Sequence, residues 1–237
     1  MGAAGWAASL ADRLAGVDPL RVVLVDDETL VLDALARFLA KDSGIEVVAT
    51  ATTGREALRS VRETRPDVVV MDLLLKGDMD GVEATRRILN SLDPPAVLVV
   101  TSFDSDMQMR AALEAGATGF LLKTDAQESL CTAVRMAAAG DPMISPAMTS
   151  RLIASYVKPS ADAATMDARR KAGLLSERER EVASLVGAGK TYGEISRELF
   201  ISESTVKATI GRALRKVDAG SGAQLAVIVA MARLDLA

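Results

Sequence analysis

Val22-Val23-Leu24-Val25-Asp26-Asp27, Val68-Val69-Val70-Met71-Asp72 and Ala96-Val97-Leu98-Val99-Val100-Thr101-Ser102 are three unbroken apolar runs, each ending on carboxylates or hydroxyls. A strand without polar alternation is what a parallel sheet shows when helices cover both of its faces. Two shorter runs, Val47-Val48-Ala49 and Gly119-Phe120-Leu121-Leu122, complete five strands, and the second of them is followed by Lys123. Helical patterns lie between the strands, so residues 20–140 are predicted to form an α/β domain, a doubly wound five-stranded parallel sheet. Thr53 with Glu56 and Thr124 with Gln127 have the spacing of capping boxes, and Gly44, Gly116 and Gly140 fall where helices should stop.

Outward from this region the pattern changes. Residues 1–19 are Ala-rich, with Trp6, Leu10, Leu14 and Val17 at helical spacing, and read as an N-terminal extension, frayed or docked as a helix. Residues 141–173, punctuated by Pro142, Pro146 and Pro159, read as a short helix and a linker. Residues 174–237 hold four helix patterns and no strand pattern, with capping-box spacing at Ser176/Glu179, Thr191/Glu194 and Ser221/Gln224. The second domain is predicted to be all-α.

Composition narrows the chemistry. The chain has 237 residues, 49% of them hydrophobic, enough for two cores. No run of about 18 apolar residues could span a membrane, and no basic start precedes an apolar stretch, so a cytoplasmic protein is expected. Cys131 is the only cysteine and there is no histidine, which excludes an internal disulfide, imidazole metal ligands and Ser-His or Cys-His nucleophile pairs. The net charge of −4 means that any nucleic-acid binding must come from a local basic face.

In a doubly wound sheet the working crevice lies beyond the carboxyl ends of the strands. Asp26-Asp27, Asp72, Thr101-Ser102 and Lys123 all fall there. Any one of them alone would read as a strand-end cap or a solvated loop charge; six at matching strand ends make a site. Three carboxylates brought together repel one another unless a cation is present, and oxygen-only ligands suit Mg²⁺.

These residues resemble the receiver domain of response regulators over residues 20–140. The resemblance implies a flavodoxin-like strand order, phosphorylation of Asp72 by a sensor histidine kinase, and Mg²⁺ held by Asp26, Asp27, Asp72 and the backbone carbonyl of Leu74. Thr101 and Lys123 would contact the phosphoryl oxygens, and Thr101 with Phe120 would form the switch. Leu74 and Phe103, two residues beyond Asp72 and Thr101, would flank the attacking water without orienting it, so a long-lived phosphorylated state is expected. The loop Leu74-Leu75-Lys76-Gly77-Asp78-Met79-Asp80-Gly81 departs from the pattern: it lacks the usual proline and is one residue longer than the commonest form. Thr124 replaces a proline often found after the lysine, which leaves the isomer of the Lys123–Thr124 bond open.

In the second domain, Leu175-Ser176-Glu177-Arg178-Glu179-Arg180-Glu181-Val182, Thr191-Tyr192-Gly193-Glu194-Ile195-Ser196 and Phe200-Ile201-Ser202-Glu203-Ser204-Thr205-Val206-Lys207 resemble the NarL/LuxR-type helix-turn-helix. Glu194 to Leu199 would be the scaffold helix, Phe200-Ile201 the turn, and Ser202 the cap of a helix to about Val217. That helix carries Lys207, Arg212, Arg215 and Lys216 against Glu203 alone. It is expected in the major groove of double-stranded DNA, its start facing bases and its basic residues fixing phosphates. The DNA-facing set is Thr191, Ser204, Thr205, Val206, Lys207 and Thr209, with Arg212, Arg215 and Lys216. Thr209 stands where relatives usually carry a histidine two residues beyond Lys207, and Gly211 interrupts the helix.

The domain has nine basic and eight acidic side chains, so weak monomer binding and a homodimer on phosphorylation are expected. Leu225, Ile228, Val229, Met231 and Ala232 offer a candidate dimer stripe, part of which must cover the domain's own core. The whole reads as a transcription regulator rather than an enzyme. A haloacid-dehalogenase-type phosphatase would need a second aspartate where Glu28 stands and leaves Asp72 unexplained. A phosphorylation-independent dimerisation module leaves the full acidic set without a purpose.

Overall fold

In the computed structural model, residues 18–102, 106–144 and 161–232 are described. Five strands, β1 (Leu20–Val25), β2 (Ile45–Ala51), β3 (Val68–Met71), β4 (Ala96–Thr101) and β5 (Gly119–Leu122), form one sheet in the order β2-β1-β3-β4-β5. The pairings β1–β2, β1–β3 and β3–β4 are parallel. Between and after the strands run α1 (Thr29–Leu39), α2 (Gly54–Thr64), α3 (Gly81–Leu89), α4 (Asp106–Glu114) and α5 (Ala126–Ala139). Each of the three long apolar runs is buried on both faces. Val23, Val25, Val69, Met71 and Val97 pack on one face against Ala57 of α2 and Ala84 and Ile88 of α3, while α1 and α5 cover the other.

The remaining helices are α6 (Ala161–Gly173), α7 (Glu177–Gly187), α8 (Tyr192–Leu199), α9 (Glu203–Val217) and α10 (Gly222–Ala232). Two compact units divide the chain: Met1–Asp104 with Leu121–Gly140, and Ser105–Phe120 with Asp141–Ala237. In the second unit α10 lies against α6, α7 and α9.

The caps sharpen several expectations. Ser176/Glu179 and Thr191/Glu194 are full capping boxes. At Thr53 the N-cap bond to Glu56 forms, but the Glu56 carboxylate reaches back to Thr52 instead of to the N-cap. Ser221 likewise caps Gln224, whose side chain accepts from Gly220. Thr124 is no cap: Lys123–Asp125 is a 3₁₀ turn, and Asp125 precedes α5 without a side-chain cap bond.

Residues 161–173, read as linker, are helical. Alanines at 161, 163, 164, 168 and 172 give strong helix propensity, and Ala168 and Ala172, one turn apart, are buried. Residues 145–160 of the expected helix-and-linker segment and residues 1–17 of the expected N-terminal extension lie outside the described residues. So does Phe103. No cis peptide bond occurs among the described residues, so Lys123–Thr124 is trans.

Candidate phosphoacceptor site and nucleic-acid interface

Strand register builds the acidic site. Val25 pairs with Met71 across β1 and β3, so the next residues, Asp26 and Asp72, leave the sheet side by side. The Asp72 N–H donates to the Val25 carbonyl at 2.9 Å, fixing that neighbourhood. Asp26 and Asp72 are 1% and 4% exposed. Carboxylate oxygens of Asp26, Asp27 and Asp72 lie within 4.8 Å of one another.

The Lys123 ammonium donates to Asp72 Oδ2 at 2.9 Å and forms an ion pair with Asp26 Oδ2 at 2.7 Å, without hydrogen-bond alignment to the latter. Asp26 Oδ1 accepts the Glu28 N–H at 3.0 Å. Asp72 Oδ1 and Asp26 Oδ2 remain buried without a hydrogen-bond partner. Burial raises the Asp26 carboxyl above its ordinary range, against the pull of Lys123 and the Glu28 amide. Burial would lower Lys123, but its pairing with the Asp26 and Asp72 carboxylates outweighs that and holds the ammonium above the usual lysine value.

Around this centre, Thr101 ends β4 and is buried. Leu73 is buried and its carbonyl accepts from Gly81, while Leu74 turns partly outward. Phe120 is buried, and its N–H donates to Met143 at 2.7 Å. The orphaned Asp72 Oδ1 and the close carboxylates fit a hard divalent cation, which takes oxygen ligands and offsets like charge.

At the second site, Phe200 takes a left-handed conformation that ends α8, and Ser202 starts α9 by accepting the Thr205 N–H. The Arg178 guanidinium donates to the Leu199 carbonyl at 3.1 Å and ties α7 to this turn. Ser204, Thr205, Lys207, Arg212 and Arg215 are exposed along α9, and Thr191 is the half-buried cap of α8. Val206 and Thr209, grouped with them on sequence, are instead buried in the domain. Their spacing of three puts them on the apolar face with Ile210, Ala213 and Val217. The Thr209 hydroxyl donates to the Thr205 carbonyl and accepts from Arg212. Lys216 pairs with buried Glu179 at 2.7 Å. The stripe Leu225, Ile228, Val229 and Met231 on α10 is also buried, so the face expected to dimerise belongs to the domain's own core here.

Residues 22–135 match the family described as "Response regulator receiver domain", and residues 173–229 match "Bacterial regulatory proteins, luxR family". The transcriptional regulatory protein LiaR of Bacillus subtilis is 37% identical over 208 residues, covering 88% of this chain and 95% of LiaR. The chain is a LuxR-family response regulator. VraR of Staphylococcus aureus, a response regulator protein, is 34% identical over 199 residues, 84% of this chain and 90% of VraR. The crystal structure of the response regulator ChrA, from a heme-sensing two-component system, superposes with a TM-score of 0.52 at 30% identity, over 92% of this chain and 98% of ChrA.

In this response regulator the structure brings Asp26, Asp27, Asp72 and Lys123 together. Sequence reasoning missed two partners. The Lys76 ammonium stands 2.7 Å from Asp27 Oδ2; the lengthened loop was the signal, but its direction cannot be read from residue order. Glu179 faces Lys216 from 37 positions away, and nothing local marks that pairing. No helix among the described residues is long and apolar enough to cross a membrane.

Proposed function

We propose that a sensor histidine kinase phosphorylates Asp72, that Mg²⁺ is required, and that the phosphorylated chain dimerises and binds double-stranded DNA to regulate transcription from the cytoplasm. The observation that carries this reading is the buried, unpartnered oxygen Asp72 Oδ1, on a carboxylate whose other oxygen is paired with the Lys123 ammonium and which lies against Asp26 and Asp27. A buried carboxylate oxygen without a donor is costly unless it has work to do.

Asp72 would attack phosphorus in line, forming an O–P bond as the bond from phosphorus to the donor's nitrogen breaks, which leaves an acyl phosphate. Lys123 would neutralise charge on the phosphoryl oxygens, and Thr101, which ends β4, would donate its hydroxyl to one of them. Asp26, Asp27, Asp72 and the Leu74 carbonyl would hold Mg²⁺, which supplies positive charge opposite the spreading negative charge. The only chemistry is on the protein's own aspartate, so the chain acts as a switch rather than as an enzyme with a released product. For DNA, Thr191, Ser204, Thr205 and Lys207 would meet the duplex at the start of α9, and Arg212 and Arg215 its phosphates.

The test is incorporation of phosphate from acetyl phosphate in wild type and Asp72→Asn. The account predicts acid-labile incorporation in wild type and none in the variant, with both folded and Mg²⁺ binding weakened in the variant. Equal incorporation in the two would move the acceptor elsewhere.

A further inference from the structure

The loop after β3 is anchored at both sides of Lys76. Leu75 and Met79 are buried, and Asp78 is ion-paired with Arg55 of α2. Gly77 turns the chain between them at φ +115°, a conformation that other residues rarely adopt. Held this way, Lys76 leaves 85% of its side chain in solvent yet brings Nζ to 2.7 Å from Asp27 Oδ2. Asp27 is one of the three clustered carboxylates, and its side chain is only 10% exposed. Lys123 pairs with the other two carboxylates, Asp26 and Asp72. Two ammonium groups therefore neutralise most of a three-carboxylate cluster before any metal arrives.

We propose that Lys76 is a tethered counter-cation that competes with the divalent metal for Asp27. Metal entry then requires the Lys76 ammonium to leave, so metal occupancy is set by Lys76 as well as by the ligands. The inference rests on the metal-binding reading of the acidic cluster. An ammonium on a flexible, exposed stem makes a weak pair, so the competition should be modest: removing it should tighten metal binding about twofold to fivefold.

The experiment is titration of the full-length unphosphorylated protein with Mn²⁺, free ion followed by electron paramagnetic resonance, and with Mg²⁺ by calorimetry, which needs no activity. Wild type, Lys76→Gln, Lys76→Arg, Arg59→Gln and Asp27→Asn are compared. Expected is tighter binding in Lys76→Gln, near-parental binding in Lys76→Arg, which keeps the charge, and loss in Asp27→Asn. Arg59→Gln removes an exposed charge of α2 whose neighbour is Glu56, away from both the cluster and the anchors of the loop. Equal tightening in Arg59→Gln and Lys76→Gln would reduce the effect to the general field and overturn the proposal, as would unchanged or weaker binding in Lys76→Gln. Failure of wild type to bind either metal at millimolar concentration would instead overturn the metal-binding reading itself.

Discussion

Gly81 stands against the backbone of Asp72: a methyl group on its Cα would lie 1.9 Å from the Asp72 carbonyl oxygen and 2.7 Å from the Cα of Leu73. Both obstacles are backbone, so no side-chain rotation relieves them. The Gly81 N–H also donates to the Leu73 carbonyl at 3.1 Å, closing the loop that carries Leu74 and Lys76. Gly81→Ala should therefore destabilise the protein by about 1–3 kcal/mol, as overpacking does, and slow phosphate incorporation by displacing Asp72. Thermal unfolding and an acetyl phosphate time course check it; unchanged values in both would show that the loop yields freely.

The basic residues of α9 should separate into two kinds. Lys216→Gln breaks a pair with buried Glu179, whose carboxyl is held below its ordinary range because the Lys216 and Ser176 bonds outweigh burial. A carboxylate with a lowered folded pKa adds stability above its unfolded value of about 4.5 and loses it as pH falls through the folded value. The variant should therefore lose on the order of 1 kcal/mol at pH 7, with the deficit fading in acid. Lys207→Ala should cost about 1–3 kcal/mol on a cognate duplex, much less on a scrambled one. Arg215→Ala should weaken both duplexes alike and lower the salt slope by about one unit. Equal losses on both duplexes for Lys207→Ala would remove it from the base-reading set.

Asp141 gives a pH dependence of opposite sign. Burial pushes its carboxyl up to about 6, against Lys207, which pulls it down, and with Glu203, which adds to the rise; Oδ1 has no hydrogen-bond partner. A raised acid pKa means that the folded state binds the proton more tightly, so the ionised group costs stability above pH 6 and the cost disappears as pH falls towards 4. Asp141→Asn should raise Tm at pH 7.5, with the gain shrinking by pH 5. A gain that is flat across this range, or absent, would contradict the assignment.

Leu74, two residues beyond Asp72, offers no hydrogen bond to an attacking water. Leu74→Asn should speed hydrolysis of the phosphorylated protein several-fold, read as loss of label after the phosphodonor is removed. An unchanged or slower rate would mean that water orientation does not limit the lifetime.

The sheet was legible because both periodicity and strand ends speak locally: Val22–Val25 and Val68–Met71 are apolar throughout, and Asp26 and Asp72 follow at once. Register then joins them, which the sequence implies only through the fold. Burial on α9 was less legible. Val206 and Thr209 look alike in a motif with Lys207 between them, and only the helix's packing face tells that they turn inward. The apolar stripe of α10 was visible as a stripe, but a buried core face and an interface have the same composition. Lys76 was set beyond prediction because the nine-residue loop 72–80 can aim a four-carbon side chain in many directions.

The most direct test of the account is the affinity of wild type and Asp72→Asn for one target duplex, each with and without acetyl phosphate and Mg²⁺, with oligomeric state followed in parallel. Two linked half-sites act through effective concentration, so phosphorylated wild type should become dimeric and bind at least tenfold more tightly on the order expected for avidity, with Asp72→Asn unchanged by the donor. Tight binding by unphosphorylated monomeric wild type, or equal tightening in Asp72→Asn, would contradict the coupling between Asp72 and DNA.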